Sequence, residues 1–139
     1  MNWIVWALLS ALFAALTAVF AKIGVSGVDS NLATAVRTTV IVVFTWGMAA
    51  AFANVGELQT YSRRTWVFLG LSGLATGLSW LCYFRALQLG EASRVAPIDK
   101  LSVVFVIVFA ALFLGEKLTW HQVIGGALIA GGAVMLARS

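Results

Sequence analysis

The apolar residues of this chain fall into five long blocks, and this pattern constrains the fold more than any other feature. Each block holds roughly twenty residues, enough for an α-helix with a rise of about 1.5 Å per residue to cross a hydrocarbon core of about 30 Å. Of the 139 residues, 62% are hydrophobic and 10% are charged, whereas about one quarter of a soluble domain is charged. The sequence therefore predicts an all-α integral membrane protein.

The predicted helices form one transmembrane domain over residues 1–139, because no polar stretch is long enough to act as a linker. They cover the ranges 3–21, 32–54, 66–90, 96–114 and 120–137. Five crossings place the two termini on opposite sides of the membrane. We name these sides face A, which holds the amino terminus, and face B, which holds the carboxyl terminus.

The basic residues of the loops do not favour one orientation of the domain. Three lie on each side: Arg63, Arg64 and Lys117 on face A, and Lys22, Arg94 and Arg138 on face B. Orientation follows the excess of lysine and arginine in cytoplasmic loops. The equal count therefore predicts insertion in both orientations.

Three further cations lie inside predicted spans, at a similar depth below face B. Arg37, Arg85 and Lys100 are each a few residues from the face-B end of their helix, which places them roughly 6–8 Å deep. A cation at the membrane centre costs on the order of 3 kcal/mol. Two explanations stay open. The long side chains reach the headgroups or are neutralised by Asp99 and Glu91, or they line a water-filled vestibule for an anionic or zwitterionic group.

The head of the fourth predicted helix combines a proline with two adjacent charges. Pro97 is expected in the first turn, where its missing N–H breaks no hydrogen bond, and it is assigned a structural role. Neighbouring helix positions differ by about 100° in direction, so the side chains of Asp99 and Lys100 are expected to diverge. Asp99 is predicted to neutralise neighbouring cations as a structural residue, and Lys100 is predicted to face the vestibule.

Hydroxyl-bearing residues recur at helical spacing in three spans: Ser72, Thr76, Ser79 and Tyr83 in the third, Thr34, Thr38 and Thr45 in the second, and Ser10 and Thr17 in the first. Such hydroxyls often join membrane helices to one another, but three converging stripes favour a shared polar interior. Trp80 is either part of the core or a stacking wall for a ligand. The candidate substrate-binding residues are Thr17, Arg37, Thr38, Thr76, Ser79, Trp80, Tyr83, Arg85 and Lys100.

Glycines in two spans are expected to let helices approach closely. The third span contains Gly73 and Gly77 in a G-x-x-x-G arrangement, and the fifth contains glycine pairs that include Gly126 and Gly131. Glycine at this spacing allows contact between helix backbones in membranes and carries no chemistry. These four residues are predicted to be structural.

No set of residues indicates an enzyme, a metal site or a cofactor. The chain has one histidine, His121, and one cysteine, Cys82, and it has no H-E-x-x-H motif or readable nucleophile–base–acid set. Its formal net charge of +4 comes from basic residues scattered among apolar ones. We therefore expect no binding of nucleic acid.

The stretch from Phe84 to Gly132 reads FRALQLGEASRVAPIDKLSVVFVIVFAALFLGEKLTWHQVIGGALIAGG. Its A-L-x-x-G-E-A-S-x-V-A-P-I, L-F-L-G-E-x-L-T and Q-x-x-G-x-x-L-I-x-x-G motifs resemble the second half of an EamA repeat of the drug/metabolite transporter superfamily. The resemblance extends more weakly through the first three helices, so the whole chain corresponds to one repeat. Val103 stands where related repeats often have another proline.

Members of that superfamily typically carry two five-helix repeats in opposite orientations and export amino acids, metabolites or drugs. The resemblance therefore implies a transporter in which an antiparallel homodimer supplies the second repeat. The related small multidrug transporters use a glutamate in helix 1 to exchange protons for cationic drugs. Helix 1 here has no carboxylate, which disfavours that mechanism.

Together, these features predict a transporter of small organic metabolites that are amino-acid-like and zwitterionic or anionic. It is expected to work by alternating access, as an exporter in the inner membrane of a prokaryote. The alternative is a non-transporting membrane subunit or scaffold that requires a partner protein.

Overall fold

The computed structural model describes residues 2–138, and every regular element in this part of the chain is helical. The elements are α1 (Trp3–Gly24), α2 (Ser30–Phe52), a short 3₁₀ helix (Val55–Thr60), α3 (Arg63–Leu89), α4 (Ala92–Asp99), α5 (Ser102–Phe113) and α6 (Trp120–Arg138). Five segments are long and apolar enough to cross a membrane, with α4 and α5 together forming one of them. The prediction of an all-α protein with five spans is confirmed.

Polar caps explain why two of the helices begin before their apolar blocks. Asp29 precedes α2, and its carboxylate accepts hydrogen bonds from the N–H groups of Asn31 and Leu32 at 2.9 and 3.0 Å. The Ser62 hydroxyl precedes α3 and accepts from the Thr65 N–H at 3.1 Å. These side chains replace partners that the first helical turn lacks, so the helices extend into sequence that hydrophobicity alone assigns to loops.

The fourth predicted helix is interrupted, and this part of the sequence prediction is wrong. α4 begins at Ala92, so Pro97 lies inside the helix rather than in its first turn. A proline inside a helix offers no N–H to the carbonyl four residues before it, and its ring crowds that carbonyl. The backbone tightens beyond it, where the Lys100 N–H is shared between the Ala96 carbonyl, four residues back, at 3.3 Å and the Pro97 carbonyl, three residues back, at 3.1 Å. Leu101 completes the turn, and α5 resumes at Ser102.

Residues Ile23–Gln88 form one compact unit, which contains α2, the 3₁₀ helix and α3. Its buried residues lie where α2 begins and where α3 ends. Val25 is 1% exposed, Phe84 is 3% exposed and Leu87 is fully buried. The half of this unit near face B is therefore its packed core.

A glutamine ties the α1–α2 connection to the end of α3 within that unit. The Gln88 amide nitrogen donates to the main-chain carbonyls of Val25 and Val28, at 3.3 and 2.5 Å. Gly27 lies between these carbonyls with a φ of +76°, a left-handed conformation that glycine adopts without steric cost. The connection is thus held in a defined shape by a side chain from another element.

The second compact unit consists of the chain up to Lys22 and from Leu89 onward. Within it, α6 packs against both α4 and α5. A Cβ added at Gly126 would meet the Ile107 side chain of α5 at 3.6 Å, which is ordinary van der Waals contact. All of the buried positions described in this unit are small residues: Ala18, Ala21, Gly126 and Ala133.

Candidate functional site

The most distinctive charged group inside a span is the guanidinium of Arg37, on α2. Its central carbon lies 4.3 Å from the centroid of the Trp80 ring and 5.4 Å from that of Phe84. Trp80 and Phe84 are four residues apart on α3 and therefore share one face of that helix. Contacts of this kind contribute about 0.5–2 kcal/mol, with the larger values where water is excluded. Two aromatic side chains of α3 thus hold a cation of α2.

Arg37 has no carboxylate partner among residues 2–138. The ion pairs in this part of the chain join Arg94 to Glu91 and Lys100 to Asp99, both at 3.3 Å. The Arg37 side chain is half-buried, and aromatic rings offer its N–H groups at most weak N–H···π contacts rather than an oxygen or nitrogen acceptor. Its N–H donors are therefore available to a bound molecule or to water.

Arg85 has a different environment from Arg37, although the sequence places both at a similar depth and leaves a shared vestibule as one of two explanations. Arg85 is exposed, and its Nη1 donates to the amide oxygen of Gln88 at 3.0 Å. The same Gln88 amide binds the α1–α2 connection through its nitrogen. Arg85 thus supports the tie at the end of α3 and is not part of the aromatic contact around Arg37.

Lys100 and Asp99 point toward each other, so the expectation that they diverge is wrong. Lys100 Nζ lies 3.3 Å from Asp99 Oδ2, with 57% and 37% of the respective side chains exposed. The expected divergence assumes a regular helix, whereas these residues lie where α4 ends and the backbone turns. Asp99 therefore has its own neighbour as the ion-pair partner in this structure.

Several of the predicted hydroxyl donors are used within their own helices. Thr38 donates to the Thr34 carbonyl at 2.7 Å, and Thr76 donates to the Ser72 carbonyl at 2.9 Å. Bonds of this type satisfy a threonine inside an apolar environment without any contact between helices. The hydroxyl stripes are therefore explained in part by local bonding.

The remaining predicted site residues occupy varied environments. Tyr83 is half-buried and close enough to Arg37 to interact with it electrostatically. Ser79 and Thr76 are exposed, so the structure does not place them in the Arg37 contact. Thr17 is half-buried on α1. The substrate-binding roles of these residues stay predictions.

Sequence reasoning missed two residues of this region. Phe84 was not singled out, although its position one turn after Trp80 on α3 is a signal that could have identified it. Gln88 carries no comparable signal, because a glutamine near a helix end is ordinarily exposed. The structure shows that it joins the α1–α2 connection to α3.

The predicted small-residue contacts are not all made within one chain. A Cβ added at Gly73, Gly77 or Gly131 would meet no heavy atom of the described structure within 4 Å. Their role in close helix packing stays a prediction, and within the described residues only the environment of Gly126 resembles it.

A separate groove of about 290 Å³ lies at the other end of α2, toward face A. Its lining is mainly apolar and contains none of the predicted substrate-binding residues: it consists of Thr45, Trp46, Ala49, Ala53, Asn54, Val55, Leu58 and Tyr61. We assign it no role in the candidate site.

The sequence profile of the EamA-like transporter family matches residues 1–138. The chain belongs to the EamA-like transporter family. The resemblance inferred from the motifs between Phe84 and Gly132 is therefore confirmed. Together with the five apolar helices, membership identifies this EamA-like chain as a multi-pass membrane protein of a transporter family.

The chain is similar in sequence to three bacterial proteins that are named as transporters or as an exporter. "Uncharacterized transporter in cobO 3'region" of a Sinorhizobium species is 58% identical over 139 residues, which cover 98% of this chain and 96% of the relative. "Uncharacterized transporter YxxF" of Bacillus subtilis is 28% identical over 137 residues, but this chain spans only 42% of its length. "Probable terminal-alkyne amino-acid exporter" of Streptantibioticus cattleyicolor is 37% identical over 67 residues, which cover 45% of this chain and 22% of the relative. No solved structure matches the chain.

Proposed function

We propose that this EamA-like protein exports small, amino-acid-like metabolites, zwitterionic or anionic, by alternating access. The observation that carries the proposal is Arg37, a half-buried cation in a span that contacts aromatic rings and has no carboxylate partner among the described residues. Ionisable groups inside membranes are costly and mark substrate or ion pathways. A relative named as a probable exporter of an amino acid supports the class of cargo.

We further propose that two copies pair in opposite orientations in the inner membrane of a prokaryote. Three features support this arrangement: the balanced loop charges, the correspondence of the chain to one repeat, and the bacterial origin of the relatives. In transporters built from inverted repeats, alternating access arises from motion of one repeat against the other. The small-residue surface at Gly73 and Gly77 is open to a second helix.

Transport is tested with purified protein in liposomes loaded with a mixture of radiolabelled amino acids. We expect wild-type protein to accelerate their release, and we expect Arg37→Met to release them at the rate of loaded liposomes that contain no protein. Release by wild-type protein that is no faster than from loaded, protein-free liposomes contradicts the transport proposal.

Pairing is tested with single cysteines introduced near the two termini, after the exposed native Cys82 is replaced by serine. Labelling both termini from outside intact cells, in similar amounts, supports insertion in both orientations. A single orientation together with a stable hetero-partner contradicts the homodimer and favours the non-transporting subunit.

A further inference from the structure

We infer that Arg37, Trp80 and Phe84 form a receptor for one carboxylate group of the transported molecule. We call these three residues the aromatic receptor. The inference rests on the proposed transport function but makes a narrower claim. It assigns a carboxylate as the bound group, Arg37 as the residue that binds it, and Trp80 and Phe84 as the residues that orient Arg37.

The two rings of the aromatic receptor mainly affect the orientation of the Arg37 side chain, and they have less effect on its charge. Trp80 and Phe84 come from successive turns of α3, at 4.3 and 5.4 Å from the guanidinium carbon of Arg37. Ring faces attract the cation but provide no oxygen or nitrogen acceptor to its N–H groups, only weak N–H···π contacts. The rings therefore restrict the side chain while its donors stay available.

A carboxylate fits these donors better than the alternatives. The planar fork of a guanidinium matches the two oxygens of a carboxylate in a bidentate pair. One carboxylate also cancels the single charge of Arg37, whereas a phosphate dianion leaves net negative charge in the span, which is costly in a membrane. An ammonium group is repelled by Arg37, and the ring face of Trp80 that attracts cations is already occupied by it.

The chain contains a matched control for this site. Arg64 lies 5.7 Å from the Phe68 ring near the start of α3, but it is exposed and contacts a single ring. An exposed guanidinium competes for anions with water and salt, and its attraction is screened. A carboxylate in solution should therefore affect Arg37 more strongly than Arg64.

The test is an NMR titration of the full-length protein in detergent micelles, with isotope-labelled arginine nitrogens. Each of the six arginines has one Nε–H group, and the signal of Arg37 is assigned by its loss in Arg37→Lys and by the ring current expected from Trp80. Sodium propionate and L-leucine are the probes, and propionamide and leucinamide are their neutral-group controls. We expect the carboxylates to shift the Arg37 signal at concentrations at least tenfold below those that shift Arg64.

Two results overturn the inference. One is a shift of Arg37 that is no larger than that of Arg64 at any probe concentration. The other is an equal shift with the amides or with inorganic phosphate, which would mean that the site does not select a carboxylate.

Variants of the rings test their positioning role. We expect Trp80→Leu to raise the dissociation constant for propionate about tenfold, because the cation–π contact is lost, and Trp80→Phe to retain most of the affinity. Equal affinities in all three proteins contradict a role for the ring. The titration of the unmodified protein decides the carboxylate question even when the Trp80→Leu protein does not fold.

The liposome assay separates this inference from the proposed function. A carboxylate-dependent shift of the Arg37 signal without transport of any amino acid supports the carboxylate site and contradicts the export function. Transport without a carboxylate-dependent shift of the Arg37 signal supports the export function and contradicts the carboxylate site.

Discussion

Arg37 and Lys100 look alike in the sequence, since both are cations that lie a few residues from the face-B end of a predicted span. Their contacts in the structure differ. Arg37 is held by aromatic rings of a neighbouring helix. Lys100 pairs with the residue next to it, at a break in the helix. Depth in a span therefore does not determine the environment of a cation. These two cations differ in whether a carboxylate side chain lies beside them, as Asp99 does for Lys100.

Two glutamines, Gln88 and Gln122, differ in a similar way in what their side chains join. In the unit formed by Ile23–Gln88, a side chain reaches across elements, since Gln88 binds the carbonyls of the α1–α2 connection. In the other unit, Gln122 acts locally, and its side-chain oxygen accepts from the Thr119 N–H at 2.9 Å to cap α6. Long-range and local uses of the same residue type can thus be compared in one protein.

The largest effect is expected from replacing the two cations separately. Arg37→Met should reduce transport about a hundredfold, because a charge-assisted pair with the substrate is lost. Lys100→Met should reduce it less than about threefold, because Lys100 already has Asp99 as its partner. Initial rates in liposomes at equal protein content measure both. Similar losses in the two variants would restore the sequence-based view that both cations face one vestibule.

The second comparison replaces the two glutamines. Gln88→Ala should lower the free energy of unfolding by about 2 kcal/mol, because it leaves two main-chain carbonyls without their donor. Gln122→Ala should cost about 1 kcal/mol, as the loss of a helix cap does. Denaturant titration in micelles measures both values. A larger cost for Gln122→Ala would show that the cross-element tie contributes less than the local cap.

The helix break gives a third prediction. Pro97→Ala restores an N–H that can donate to the Ser93 carbonyl, a gain of about 1 kcal/mol. Amide exchange around Lys100 should slow about fivefold as a result. Val95→Ala, which changes a half-buried neighbour without restoring a donor, is the control. Unchanged exchange in Pro97→Ala would mean that the proline does not cause the break.

The smallest effect is expected from the ion pair itself. Asp99→Asn should change stability by less than about 1 kcal/mol, because the pair is substantially exposed. A double-mutant cycle with Lys100→Met should give a coupling of about 0.5 kcal/mol that decreases at high salt. A coupling above about 2 kcal/mol would show that the pair is desolvated, which would bring Lys100 closer to the situation of Arg37.

Hydrophobicity was sufficient to predict the number of spans but not the shape of the fourth one. The polar stretch around Glu91 and Arg94 reads as a loop, and Pro97 then appears to open the helix. In the structure this stretch is already helical from Ala92, and the Arg94–Glu91 pair lies three residues apart across its first turn. The predicted helix starts about one turn too late, at residue 96 rather than at Ala92. Pro97 is therefore predicted to start the helix, whereas in the structure it lies inside it.

The candidate site was predictable only in part. Arg37 and Trp80 were both identified, because a cation and a large aromatic inside spans are unusual. Their contact could not be derived, since it depends on the rotation of α2 and α3 about their axes, which a sequence with apolar residues on every side does not determine. Hydroxyl spacing does not show how these side chains are used, because Thr38 and Thr76 bond to carbonyls of their own helices, and their role in substrate binding stays a prediction.

The division of the fourth span at Lys100 makes bilayer thickness a variable in the behaviour of this protein. α4 has 8 residues and α5 has 12, lengths of about 12 and 18 Å, so neither half crosses a hydrocarbon core of about 30 Å alone. We expect any bend at this turn to shorten the distance that the span covers, so that thin bilayers favour a bent span and thick bilayers a straight one, each ångström of mismatch contributing a fraction of a kcal/mol. Lipid chain length would then act on this turn without binding to any site.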